Sequence, residues 1–121
     1  MPRVVHFEVM AQDPVRAAKF YSQVFGWNIN KWDGPMDYWL VGTGSQEEIG
    51  IDGGIAQAQG PPHSVNTIDV NSVDAFVEKV LAGGGKVVMP KMAIPGMGYL
   101  VYCQDTEGVV FGMMESDPSA Q

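Results

Sequence analysis

At 121 residues the chain is long enough for one hydrophobic core without disulfides and too short for two independent domains. Hydrophobic residues make up 45% and charged residues 17%, an ordinary globular balance. Fourteen Asp and Glu against seven Lys and Arg give a net charge of −7, which argues against nucleic acid and against an anionic membrane surface. No run of about 18 apolar residues exists, so no transmembrane helix is expected. The opening Met1-Pro2-Arg3-Val4-Val5-His6 lacks the apolar core of a secretory signal. Cys103 stands alone, without a disulfide partner or a Cys/His zinc pattern. These features lead to the expectation of a cytoplasmic protein.

Val4 to Met10 alternates, with Val5, Phe7 and Val9 on one side and His6 and Glu8 on the other. That period of two predicts a half-buried strand. Asp13-Pro14 is a helix start, a capping carboxylate followed by a proline suited to the first turn. Val15, Ala18, Tyr21, Val24 and Phe25 follow at helical spacing, and Gly26 is a left-handed stop. Trp27 to Lys31 reads as a strand, Asp33-Gly34-Pro35 as a turn, and Tyr38 to Val41 as a short strand. Ile49 to Gln57 reads as a glycine-interrupted strand.

Gln59-Gly60-Pro61-Pro62-His63 is a stiff connector, and beyond it the pattern begins again. Ser64 to Val70 alternates as a strand. Asn71 or Ser72 caps a helix carrying Val73, Phe76, Val77, Val80 and Leu81, which ends at Gly83-Gly84-Gly85. Val87 to Met89 reads as a strand stopped by Pro90, Tyr99 to Cys103 as another, and Val109 to Glu115 as the last. Strand, helix and three strands thus occur twice. A shift of 59 residues places His6 on Val65, Val9 on Ile68 and Gly26 on Gly85. The expected organisation is a single α+β domain over residues 1–121, with one βαβββ module at 4–58 and a second at 63–116. A ferredoxin-like domain would have six elements, and the count here is nearer ten.

His6-Phe7-Glu8-Val9, Asp13 and Phe20-Tyr21-x3-Phe25-Gly26-Trp27 together resemble the opening of the vicinal oxygen chelate superfamily, which includes glyoxalase I, bleomycin-resistance proteins and extradiol dioxygenases. Asp105-Thr106-Glu107-Gly108-Val109-Val110-Phe111-Gly112 resembles its ending, so the likeness runs over about residues 4 to 116. The resemblance implies a curved mixed sheet built from the paired modules, with a concave ligand cleft completed within one chain or across a dimer. Exposed sheet edges favour the dimer, and a homodimer is expected. Metal-dependent relatives carry up to four ligands, one on each of four strands. Carried over, the first falls on His6, the second near Gly53 or Gly54, the third on Val65 and the fourth on Gly112. Divalent metal sites need about three or four protein donors, so neither a metal nor any other cofactor is expected. The glyoxalase mechanism, which needs a metal and a carboxylate at the fourth position, is disfavoured on the same ground.

The expected site residues are His6 and Glu8 for acid–base work, and Trp39, Gly53, Gly54, Val65, Tyr99, Gly112 and Met114 for ligand contact. The glycines leave room for close backbone approach. The aromatic and methionine side chains supply an adaptable apolar lining. An acidic chain favours a neutral or cationic small organic ligand. Plainer readings stand beside these. His6 also reads as a half-buried strand histidine bonded to Glu8 or to backbone, Glu8 as one half of an ion pair, and the glycines as bulges. Asp13 reads as a cap, His63 as exposed, Cys103 as a small apolar strand residue, and Phe20, Tyr21, Phe25 and Trp27 as core. Three functions follow: metal-free binding of a small molecule, a lyase or isomerase using His6 and Glu8, and a non-catalytic regulatory or interaction domain.

Overall fold

A computed structural model describes residues 1–121. The elements are β1 (Arg3–Ala11), α1 (Pro14–Phe25), β2 (Asn28–Lys31), β3 (Trp39–Gly42) and β4 (Gly53–Gln57), followed by β5 (His63–Asp69), α2 (Val73–Ala82), β6 (Lys86–Ile94), β7 (Gly98–Gln104) and β8 (Val110–Ser116). The chain is α+β, with the βαβββ order occurring twice as the sequence pattern predicts. It forms two compact units, His6–Val65 and Asn66–Gln121 with Met1–Val5.

In the first unit the strands run in the order β2-β3-β4-β1. β1 and β4 are parallel, with Phe7 opposite Gly53 and Glu8 opposite Gly54. β3 pairs antiparallel with both β2 and β4. One face of this sheet is covered by α1. Ala17, Ala18 and Tyr21 meet Phe7, Val9, Ala11, Val41 and Ile55 there, and Trp27, Ile29 and Trp39 complete the cluster. Small alanines let the helix axis come close to the strands. Tyr21 stacks on Trp27 at 5.2 Å between ring centroids. Asp13 caps α1 as expected, its side chain accepting from the Arg16 amide, and Gly26 closes it at φ +73°. Only a residue without Cβ holds that left-handed stop at no steric cost.

In the second unit the order is β5-β8-β7-β6. β5 and β8 are parallel, with Thr67 opposite Gly112. Val73, Phe76, Val77 and Val80 of α2 pack on Ile68, Val70, Val101, Cys103, Phe111 and Met113. Ser72, rather than Asn71, is the cap, accepting from the Ala75 amide.

Four local expectations change. β6 does not stop at Pro90 but runs on to Ile94, with register shifts either side of Met89. It is the last strand in its unit's order, where a missing amide hydrogen is tolerated at a bulge. β4 begins at Gly53 rather than Ile49, because Asp52 instead anchors the preceding loop, accepting from the Thr43 amide at 2.9 Å. Val15, Phe20, Val24 and Phe25 of α1 are exposed, since the alanine side of the helix faces the sheet. Leu81, in the last turn of α2, is exposed too.

Ile55 is fully buried in the first core, so Ile55→Ala should cost about 3 kcal/mol in urea unfolding, whereas Ile49→Ala, fully exposed in the loop before β4, should stay within about 0.5 kcal/mol.

Candidate functional site

Strand alternation sends Phe7, Val9 and Ala11 into the α1 core, so His6, Glu8 and Met10 project from the helix-free face of the same sheet. Gly54 is Glu8's partner on β4, and Leu40 is Gly54's partner on β3, which brings both positions to that face. His6 is half-buried, Glu8 is only 5% exposed, and Leu40 is well exposed.

Tyr38, just before β3, completes the arrangement. Its hydroxyl and His6 Nε2 share a hydrogen bond of 2.8 Å, and the two rings lie nearly parallel, 15° apart. A Cβ at position 54 would collide with the Tyr38 hydroxyl and ring. Glycine at 54 is therefore what lets the phenol reach the imidazole. The turn before Tyr38 holds it in place. The Trp32 amide donates to the Tyr38 carbonyl at 2.7 Å, and the Trp32 ring meets the Tyr38 ring edge-on at 6.3 Å.

Burial holds His6 below its ordinary value of 6.5, because an imidazolium loses hydration there, while the negative charges of Glu8 and Asp52 pull it part of the way back. His6 is thus a neutral imidazole around pH 7, able to accept a proton.

The other marked residues divide by face. Gly53 lies under α1, where a Cβ would strike the Phe7 carbonyl and ring, and Trp39 belongs to the same helix-side core. Tyr99 packs on the α2 side with Val101 and Cys103, and Lys91 Nζ sits 4.6 Å from its ring centroid. On the helix-free side of the second unit are Gly112 and its partner Thr67, with Met114 two residues further along β8. A Cβ on Gly112 would meet Thr67 Oγ1 at 3.3 Å and the Tyr102 ring at 3.5 Å. Val65 is two residues before Thr67 and shares its side of β5. Glu8 and Thr67, which the shift of 59 residues superposes, are the two buried polar side chains.

Sequence reasoning missed Tyr38, Asp52, Thr67 and Leu40. Tyr38 lies 32 residues from His6, and no spacing rule connects them. It also missed a recess of about 710 Å³ in the second unit, bounded by Met1, Pro2, Phe76, Lys79 and Glu115 and by none of the marked residues.

The four strand positions implied for metal ligands bear one imidazole, one valine and two glycines, once pairing with Glu8 identifies Gly54 as the second, so three of the four offer no donor. No three His, Cys, Asp or Glu side chains gather into a group that could hold an ion. These residues do not fit a divalent metal centre.

Because the folded chain binds the His6 proton less tightly than the unfolded chain, His6 contributes its full stability above its unfolded value of 6.5, and that contribution is lost as pH falls through the lower folded value. Urea unfolding from about pH 8 to about pH 5 should show wild type losing more stability than His6→Gln over this interval.

Residues 3–113 match the model of the Glyoxalase/Bleomycin resistance protein/Dioxygenase superfamily. Over 115 residues the chain is 31% identical to "Putative glyoxylase CFP32" of Mycobacterium bovis and to the protein of the same name from Mycobacterium tuberculosis. Each match takes in 91% of this chain and 44% of the relative, so the chain spans less than half the length of the curated relatives it matches. Among solved structures it is similar to hypothetical protein BH1468 from Bacillus halodurans C-125, with a TM-score of 0.71, 13% identity, and coverage of 99% of this chain and 98% of that one. It is similar to methylmalonyl-CoA epimerase from Mycobacterium tuberculosis, with a TM-score of 0.67, 14% identity, and coverage of 95% and 88%. The Streptomyces coelicolor methylmalonyl-CoA epimerase gives a TM-score of 0.68, 13% identity, and coverage of 98% and 97%. At these identities the structural likeness concerns the fold alone.

Proposed function

We propose that this chain, which belongs to the Glyoxalase/Bleomycin resistance protein/Dioxygenase superfamily, binds a small neutral or cationic organic molecule on the helix-free face of its first module, without a divalent metal. The observation that carries this reading is the His6–Tyr38 hydrogen bond of 2.8 Å. It engages the imidazole at Nε2 with a phenol, and Gly54, the implied ligand position on the neighbouring strand of this module, supplies no donor. Leu40 and Met10 add apolar surface beside a few polar groups, the usual make-up of a small-molecule site. Glu8 and Asp52 oppose an anion, in keeping with the acidic chain.

A second reading, a lyase or isomerase, is favoured by the fold likeness to methylmalonyl-CoA epimerases. Epimerisation takes a proton from carbon and returns it to the other face. The neutral imidazole of His6 is the base this chain offers for the first transfer, and the proton it takes up is the one returned, from the His6 imidazolium itself or from the Glu8 carboxylate after it has accepted that proton. The identity of the substrate is not carried over from those proteins.

The functional unit is proposed to be a homodimer acting in the cytoplasm. Phe20, Val24 and Phe25 expose more than half of their surface on α1, an apolar area suited to a second copy. Size-exclusion chromatography with light scattering should report about twice the chain mass, and Phe25→Glu should shift it toward the monomer.

Thermal shift with micromolar zinc, nickel or manganese should move the melting temperature by less than about 1 °C, and His6→Ala should leave the metal content of the purified protein unchanged. A stabilisation of several degrees at those concentrations would refute metal-free binding. Native mass spectrometry of the protein as purified should retain an organic species that His6→Ala loses.

A further inference from the structure

We propose that Tyr38 is the specificity-determining residue of this site: paired with His6, it recognises an acceptor oxygen, such as a carbonyl, on an uncharged flat organic molecule, and the pairing closes His6 Nε2 to metal ions. The proposal rests on the ligand site proposed above and names the class of ligand that it takes.

The chemistry follows from counting hydrogens. A neutral imidazole carries one N–H and the phenol one O–H. In one tautomer Nε2 accepts from the Tyr38 hydroxyl. In the other, Nε2–H donates to the Tyr38 oxygen. Either way the Nε2 lone pair is unavailable for coordination while the 2.8 Å bond stands. Metal ligation by His6 would require the phenol to leave. The Tyr38 hydroxyl has one donor and two acceptor positions, and the bond to His6 uses one of them. An acceptor oxygen of the ligand is recognised in the second tautomer, in which Nε2–H donates to the Tyr38 oxygen and the ligand oxygen competes with the groups already around the phenol for its O–H.

The position of the phenol depends on residue 54. A donor side chain there could not coexist with Tyr38 as placed, because even a Cβ would overlap its hydroxyl and ring. Glycine at this position therefore removes a ligand donor and admits a phenol in the same step. The surroundings select for shape and charge. The Tyr38 ring lies almost parallel to His6 and edge-on to Trp32, and Leu40 exposes apolar surface two residues along. Flat apolar groups match these surfaces. The carboxylates of Glu8 and Asp52, whose charges act on His6, count against an anionic ligand.

The experiment uses acetophenone, which has an acceptor oxygen, and isopropylbenzene, which has nearly its shape and none. Each is titrated into isotope-labelled full chain while the ring signals of His6 and Tyr38 and the methyl signals of Leu40 are followed by NMR. Acetophenone should give saturable shifts in wild type and bind about tenfold more weakly to Tyr38→Phe, a loss expected for one hydrogen bond. Isopropylbenzene should bind both proteins as weakly as acetophenone binds Tyr38→Phe. Gly54→Ala, which forces the phenol off its seat, should weaken acetophenone binding similarly, and it decides the matter if Tyr38→Phe loses its core methyl signals. Equal acetophenone affinity for wild type and a folded variant would overturn the role of Tyr38 while leaving the ligand site standing. Equal binding of the two probes to wild type would do the same. No saturable shift in wild type with either probe would overturn the ligand site and this assignment with it.

Discussion

Side-chain alternation along β1 is the constraint on which the site depends. Odd positions Phe7, Val9 and Ala11 are committed to the core under α1, and this leaves His6 and Glu8 on the opposite face. A slip of one residue would drive an imidazole and a carboxylate beneath the helix and expose a phenylalanine and a valine. The free energy that sets the register is thus apolar burial on one face, while the chemistry lies on the other. Parallel pairing with β4 carries the same register to Gly54, and Gly54 in turn makes the space that Tyr38 fills.

The family membership and the residues of this chain point in different directions, and the difference is itself informative. The fold supplies strands that in relatives present donors. This chain keeps the strands and one imidazole, and it places glycine, valine and glycine at the remaining positions. A fold carries no fixed chemistry, and function resides in the side chains grafted on it. At Gly54 the loss of a side chain is compensated by a phenol from a different strand segment, which keeps the face polar at its centre. At Gly112 the vacated volume is bordered by Thr67, Tyr102 and Leu100. The two glycines therefore have unlike surroundings, although each lies opposite a buried polar residue of a repeated strand.

Burial acts on His6 in two opposed ways. Loss of hydration disfavours the imidazolium, and the charges of Glu8 and Asp52 favour it. Desolvation prevails, leaving a base that is neutral around pH 7 and held in one orientation by Tyr38. Orientation matters as much as basicity, because a ring fixed by its neighbour loses less entropy when a ligand arrives.

The amino-acid sequence by itself determined the order of elements, the Asp13 cap of α1, the repeat and the two faces of β1, while leaving the cap of α2 open between Asn71 and Ser72. These are local or periodic features: a capping side chain bonds an amide three residues on, and alternation follows from the pleat. The end of β6 was misread because Pro90 is a stop in a central strand and acceptable at a bulge beside an edge. The sequence also left Gly53 and Gly54 interchangeable, since adjacent glycines carry no pattern that assigns a face. Tertiary structure decided that question, through the register of β4 against β1. It likewise turned Trp39 and Tyr99 toward the helices and set Tyr38 against His6 across 32 residues. Contacts of that kind arise from strand pairing between distant segments, and no periodicity within either segment encodes them.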